Sequence, residues 1–320
     1  MTTFAKKLRA ALAVGLTMTF LSVPASALSE NTDDEYGGIL NYDVATGEVT
    51  YTTEAETEVY SDETEGFSSS YDGMCFAEDA EIEADIQPYS FGSWVKKNNP
   101  NYDVNTRSTV QIITHTRGGK SFMGSGFMIG PNAVATCGHL VCDNGYGEDG
   151  SSWDWIESAE VIPARNTGNS PKPYGTANAT NFICGRPWAK ELDSEYDWGI
   201  IVLDSNIGNY TGWRAIRYQS STYNGSLITV NGYGYGVNDM YTCTATITES
   251  KKRTLYSGFI RVTEGDSGSP CFKHMDDEYK SIGIVTSQAL DENHVITGTN
   301  FRRIDKTLFN ELAKYNTSTL

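Results

Sequence analysis

Between Leu28 and Ile86 the chain has no lysine or arginine, against 18 aspartates and glutamates. A stretch so charged and so poor in apolar residues cannot build a core of its own, although runs such as Val49-Thr50-Tyr51 can supply a strand or two. Basic residues are not in excess further on either. Residues 87–320 carry 21 basic and 23 acidic side chains, so the net charge of −17 comes almost wholly from the acidic stretch. The lack of a basic field excludes nucleic acid as a partner. A run long enough to cross a membrane is also missing: the most apolar segment, Ala10 to Val23, is too short. It follows Lys6, Lys7 and Arg9 and precedes Ala25-Ser26-Ala27, the pattern of a secretory signal peptide over residues 1–27. The expected product is therefore secreted and extracellular, with no membrane attachment once the signal is removed. Histidine, finally, is scarce. His115, His139, His274 and His294 are the only candidates for an imidazole base.

What is present is a serine set between glycines: Glu264-Gly265-Asp266-Ser267-Gly268-Ser269-Pro270, with strand-like sequence at Ser257 to Val262 and Cys271 to His274. Glycine allows the tight bend that exposes a side chain at its tip. It also lets the amides of Gly265 and Ser267 converge on one point, where a carbonyl oxygen turning into an oxyanion can be held. A serine hydroxyl is a weak nucleophile and needs a base, and the base needs an orienting acid. His139 ends the apolar run in Val134-Ala135-Thr136-Cys137-Gly138-His139, where a strand gives way to a loop. Asp197 opens the apolar strand Trp198 to Leu203, which neither Asp193 nor Asp204 does. Ser269 is a rival nucleophile, but the turn favours Ser267.

Six cysteines in an exported chain are compatible with disulfides. Cys75 lies in the acidic stretch, leaving Cys137, Cys142, Cys184, Cys243 and Cys271, an odd number. A bridge between Cys137 and Cys142, or from one of them across the fold, would brace the loop of His139; free buried thiols are the alternative. Cys137, His139 and Cys142 also raise the question of zinc. Their spacing is not that of a zinc site and no fourth ligand is near in sequence, so no metal is expected.

From Thr109 onward, short apolar alternations are broken by Gly, Asn, Asp and Ser. Strands are predicted at Val110 to Thr114, Phe122 to Ile129, Ala133 to Thr136, Glu160 to Ala164 and Trp198 to Leu203. A second group follows at Leu227 to Asn231, Tyr241 to Thr248, Ser257 to Val262, Pro270 to Lys273, Ser281 to Thr286 and Gly298 to Ile304. Many short strands at turn-marked intervals imply an all-β chain with antiparallel barrels. Lys306 to Tyr315, apolar at helical spacing, predicts one short closing helix.

The GDSGSP turn, the histidine segment after a Gly-Ser-Gly-Phe strand, and the Asp-x-Gly-hydrophobic strand resemble, in that order, the chymotrypsin-fold serine peptidases. The bacterial secreted branch that includes the glutamyl endopeptidases is the most similar. The resemblance covers roughly Thr106 to Tyr315. It implies two antiparallel six-stranded β-barrels, at residues 91–205 and 206–320, with the active site in the cleft between them. It also implies an endopeptidase that hydrolyses peptide bonds through an acyl-enzyme, using the triad Ser267, His139 and Asp197 and no cofactor. A protein or peptide is the expected substrate, and the enzyme is expected to be a monomer. Residues 28–90 are then an acidic propeptide of a zymogen. A catalytically idle relative that only binds proteins, and a serine esterase, are the competing functions.

Two positions depart from the resemblance. Glutamyl endopeptidases carry a histidine after the Gly-Ile of the strand that follows the serine, and here that position is Val285. Arg261, with Thr263 and Thr286, is the substitute set for binding an acidic substrate side chain. Asp266 corresponds to the aspartate that pairs with a newly cut N-terminus in related zymogens. No Ile-Val-Gly-Gly start is present, and the alternative is that Asp266 accepts hydrogen bonds within its own turn. Gly232-Tyr233-Gly234-Tyr235-Gly236 is read as a β-turn rather than a phosphate loop. Trp153 and Trp155 are read as cover for barrel core.

Overall fold

The computed structural model describes residues 38–52, 66–67, 91–143, 154–234 and 236–316. The signal peptide, Cys75, Trp153, Tyr235 and most of residues 53–90 lie outside the described residues.

The first half contains β1 (Ile39–Asp43), β2 (Val49–Thr52), β3 (Thr109–His115), β4 (Ser121–Gly130), β5 (Ala133–Thr136), β6 (Ser158–Pro163), β7 (Ala177–Gly185) and β8 (Gly199–Leu203). They form one sheet in the order β6-β3-β4-β5-β8-β7-β1-β2, closed into a barrel by pairing of β6 with β7. Val110, Ile112, Phe127, Val134, Phe182, Ile200 and Ile201 fill its interior.

The second half contains β9 (Leu227–Gly232), β10 (Tyr241–Thr246), β11 (Thr254–Ser257), β12 (Pro270–Met275), β13 (Glu278–Leu290) and β14 (Ile296–Arg303). These run β11-β14-β13-β12-β9-β10 around a separate core of Ile228, Val230, Leu255, Val285 and Phe301. The chain is thus mostly β, with the chymotrypsin-like two-barrel fold. Helix α1 (Lys306–Ala313) closes it, shorter by two residues than its sequence pattern and started by Asp305, whose carboxylate accepts the Leu308 N–H at 3.0 Å. Short helical turns also occur at Val104–Arg107, Arg186–Glu191 and Gly208–Thr211, too brief to leave an apolar period in the sequence. Among the described residues no helix is long and apolar enough to cross a membrane.

Three expectations are corrected. Ser257 to Val262 is not a strand: β11 ends at Ser257, and the following carbonyls are satisfied by side chains instead of a ladder. Thr299 Oγ1 donates to Ile260 O at 3.0 Å, Trp94 Nε1 to Arg261 O at 2.8 Å and Gln288 Nε2 to Val262 O at 2.8 Å. Strand β7 was missed because its first half, Ala177-Asn178-Ala179-Thr180-Asn181, is polar. The register explains it, since that half pairs with β6 while the apolar half, Phe182 to Gly185, pairs with β1. The third concerns cysteine: Cys137, Cys142, Cys184, Cys243 and Cys271 are all free and buried. Cys137 turns to His139 while Cys142 contacts Cys184, so no bridge joins Cys137 to Cys142.

The acidic stretch contributes more than a loose tail. Ile39 to Asp43 pairs residue for residue with Gly185 to Asn181, and Leu40 is only 1% exposed. Tyr42 stacks on Trp155 at 5.2 Å between ring centroids and takes a hydrogen bond from Arg117 Nη2 at 2.9 Å. Burying each such apolar side chain contributes roughly 1.5–3 kcal/mol. Trp155 is buried in this stack, as core cover.

Candidate active site

Strand pairing creates the site. β5 and β8 run antiparallel with Thr136 opposite Gly199, so the residues just beyond the C-terminal end of β5 meet those just before β8. His139 lies in the 3-10 turn Gly138–Leu140 after β5, and Asp197 follows the turn Ser194–Tyr196 before β8. The Asp197 carboxylate is 4% exposed and accepts twice from the same residue: His139 N–H at 3.0 Å, and Nδ1 at 2.9 Å to Oδ2. The rival acids are engaged elsewhere, Asp193 capping Glu195 N and Asp204 holding Asn178. Gly138 is required here because a Cβ would collide with the Trp188 indole, which stands 6.2 Å from the imidazole.

With Nδ1 bonded to Asp197, the other ring nitrogen, Nε2, faces Cys137 Sγ at 3.3 Å. Burial opposes charge on the ring, but Cys137 and Asp197 outweigh it and hold the His139 pKa well above the ordinary imidazole range. Burial also pushes the Cys137 thiol up, against the opposing pull of His139. The other histidines sit apart: His115 bonds Ser121 on the surface, His274 packs on Tyr279, and His294 occupies an exposed turn.

Ser267 is half-buried on its turn, and the turn is locked against the first barrel through Ser125. Ser125 N donates to Ser267 O at 2.7 Å, Ser125 Oγ donates to Gly265 O at 2.7 Å, and the same Oγ accepts from Tyr233 N at 2.9 Å. Gly265 has φ +95° and Gly268 φ +86°; a Cβ on either would strike a carbonyl oxygen, of Tyr233 and of Ser125 respectively. Among the described residues the amides of Gly265 and Ser267 enter no hydrogen bond, and none joins Ser267 Oγ to His139. The structure therefore unites His139 with Asp197 and sets Ser267 on a rigid turn beside β4. Ser269 is sealed at 0% exposure, which removes it as a nucleophile.

Asp266 behaves as a turn residue. Its Oδ2 accepts Thr263 N at 2.8 Å and Thr263 Oγ1 at 3.2 Å. Burial raises its pKa to about 6 against the opposing hydrogen bonds of Thr263 and Gly234. Gly232 and Gly234 lie where a Cβ would press on Asp266 and Ser269, so this glycine run cradles the serine turn. Each of the three specificity candidates bonds within the fold. The Arg261 guanidinium folds back on the Gly258 carbonyl at 2.8 Å, Thr263 is held by Asp266, and Thr286 Oγ1 donates to Asn300 O at 3.2 Å. Val285 is fully buried.

Sequence reasoning missed Ser125 as a member of this site, and placed Cys137 beside His139 without its contact to Nε2. The Gly-Ser-Gly-Phe segment was the available signal for Ser125, since a serine between two glycines on a buried strand can touch a neighbouring backbone.

The trypsin family profile matches residues 97–303. The chain belongs to the trypsin family. This trypsin-family chain is 30% identical over 241 residues to the glutamyl endopeptidase of Bacillus licheniformis, covering 72% of its own length and 71% of the relative's. Among solved structures it resembles a Glu endopeptidase in complex with MPD, with a TM-score of 0.56 and 22% identity, covering 70% of this chain and 97% of that one. The protease Anisep from Arthrobacter nicotinovorans is similar too, with a TM-score of 0.55 and 15% identity over 69% of this chain and 100% of that one. The family member described here is a trypsin-like serine endopeptidase, a hydrolase, and peptides fit it as substrates.

Proposed function

We propose that this peptidase is exported as a zymogen and cleaves peptide bonds through Ser267, His139 and Asp197. Ser267 Oγ attacks the scissile carbonyl, His139 Nε2 takes its proton and returns it to the leaving amine, and Asp197 holds the tautomer and steadies the imidazolium. The amides of Gly265 and Ser267 stabilise the oxyanion, and water then repeats the sequence on the acyl-enzyme. The observation that carries this reading is the doubly bonded His139–Asp197 pair, together with a half-buried Ser267 on a turn bonded to the same barrel through Ser125. The mechanism requires the ring to leave Cys137 so that Nε2 is free for the serine.

Residues 1–27 act as the export signal and the protein works outside the cell as a monomer, unattached to membrane. Residues 28–90 act as the propeptide, and β1 clamps that segment onto the first barrel through β7 until it is cut. Cleavage after glutamate or aspartate is supported by the glutamyl endopeptidase relative and by the exposed Arg261, with Thr263 and Thr286 as the other members of the set.

The deciding experiment treats the precursor and the processed form with a fluorophosphonate probe and maps the adduct. Labelling of Ser267 in the processed form alone supports the reading. An unlabelled processed protein would make it an idle binding relative, and hydrolysis of simple esters without peptides would make it an esterase.

A further inference from the structure

We propose that Cys137 Sγ and His139 Nε2 form a binding site for one thiophilic divalent cation of the zinc class, and that its occupancy switches the peptidase off. The two atoms lie 3.3 Å apart with nothing between them. Ligands of one tetrahedral zinc, with Zn–S near 2.3 Å and Zn–N near 2.1 Å, stand about 3.6 Å apart, so a shift of a few tenths of an ångström admits the ion. Cys137, His139 and Asp197 present their donor atoms within 4.8 Å of one another. Asp197 is not an inner ligand, because both its oxygens already accept from the backbone N–H and Nδ1 of His139. It plays the outer part instead: a carboxylate bonded to the far nitrogen of a metal-bound imidazole fixes the ring and strengthens it as a donor.

Cys137 is fully buried and the His139 side chain is 31% exposed, so water completes the ion's shell from the His139 side. Binding needs no oxidant. The ion forms one bond to sulfur and one to nitrogen, the protons on Cys137 Sγ and His139 Nε2 leave to solvent, and coordinated water is released. The lone pair used is the one that must accept the Ser267 proton, so the ion and catalysis are mutually exclusive. That inhibitory consequence rests on His139 being the base; the ion site itself does not.

The test titrates cobalt(II), as a coloured probe for zinc, into the secreted full chain and follows the ultraviolet thiolate-to-cobalt charge-transfer band. A band saturating at one ion per chain, reversed by zinc and kept in Ser267→Ala, is expected. Cys137→Ala and His139→Gln should each abolish it, while Cys142→Ala and Cys184→Ala keep it. Zinc should inhibit peptide hydrolysis, with the inhibiting concentration rising at least about tenfold in Cys137→Ala. Absence of the band in the parent chain, its survival in Cys137→Ala, or its loss only in Cys142→Ala or Cys184→Ala overturns the site. A processed form that shows the band but is not labelled by the fluorophosphonate keeps the site and sinks the catalytic reading.

Discussion

Thr136 and Gly199 stand opposite each other on paired strands, and that single register delivers His139 and Asp197 to the same point. The pair is produced by the barrel and would be lost with any slip of β5 against β8, since a shift of one residue turns each side chain to the other face. Asp197→Asn preserves the shape but lets the imidazole adopt the wrong tautomer. Turnover of a peptide substrate should fall about three to four powers of ten, with the thermal midpoint little changed. Activity within tenfold of the parent would remove Asp197 from the mechanism.

Arg261 is the exposed cation offered to an acidic substrate side chain. A peptide-library profile of the processed enzyme should show preference for glutamate or aspartate before the cut, weakened in Arg261→Ala. An aromatic or basic preference that Arg261→Ala leaves untouched excludes this role.

The glycines of the serine turn are held by sterics. Gly265→Ala and Gly268→Ala each place a methyl group against a backbone carbonyl and force an unfavourable positive φ. Each should cost on the order of 1–3 kcal/mol in unfolding free energy and lower fluorophosphonate labelling together with it. Normal stability with normal labelling would contradict the tight packing of the turn on β4 and Tyr233.

Asp266 makes stability depend on pH. Its pKa is raised from 3.8 to about 6, so the folded chain keeps a proton that the unfolded chain has lost. The stabilisation is full below about pH 4 and is gone once pH rises past about 6. A shift of this size corresponds to roughly 3 kcal/mol. Denaturant unfolding of Ser267→Ala, compared with the same chain carrying Asp266→Asn, should show the chain that keeps Asp266 losing about that much stability relative to the other between pH 4 and 7. Parallel pH profiles would refute the assignment.

Leu40 tests whether the acidic stretch is part of the folded precursor. Leu40→Ala in the Ser267→Ala precursor deletes a side chain buried between β1 and the first core, and should cost about 2–5 kcal/mol. A precursor of unchanged stability would mean that β1 does not hold to β7.

Much of this protein is written locally. The bend around Ser267 follows from two glycines, the positions of most strands follow from apolar alternation, and His139 and Asp197 stand out because each sits at the end of an apolar run. These are short-range properties, and neighbouring residues decide them. Tertiary structure decided the rest. Strand β7 is half polar because its two ends meet different partners, which no local period can encode. The segment at Ser257 to Val262 has strand composition, but side chains of Trp94, Gln288 and Thr299 take its carbonyls. Whether Cys137 bridged Cys142 or faced Nε2, and whether Ser125 touched the serine turn, depended on the register of strands far apart in the chain. Composition sets what each residue can bond with; only the closed barrels set which partners come within reach.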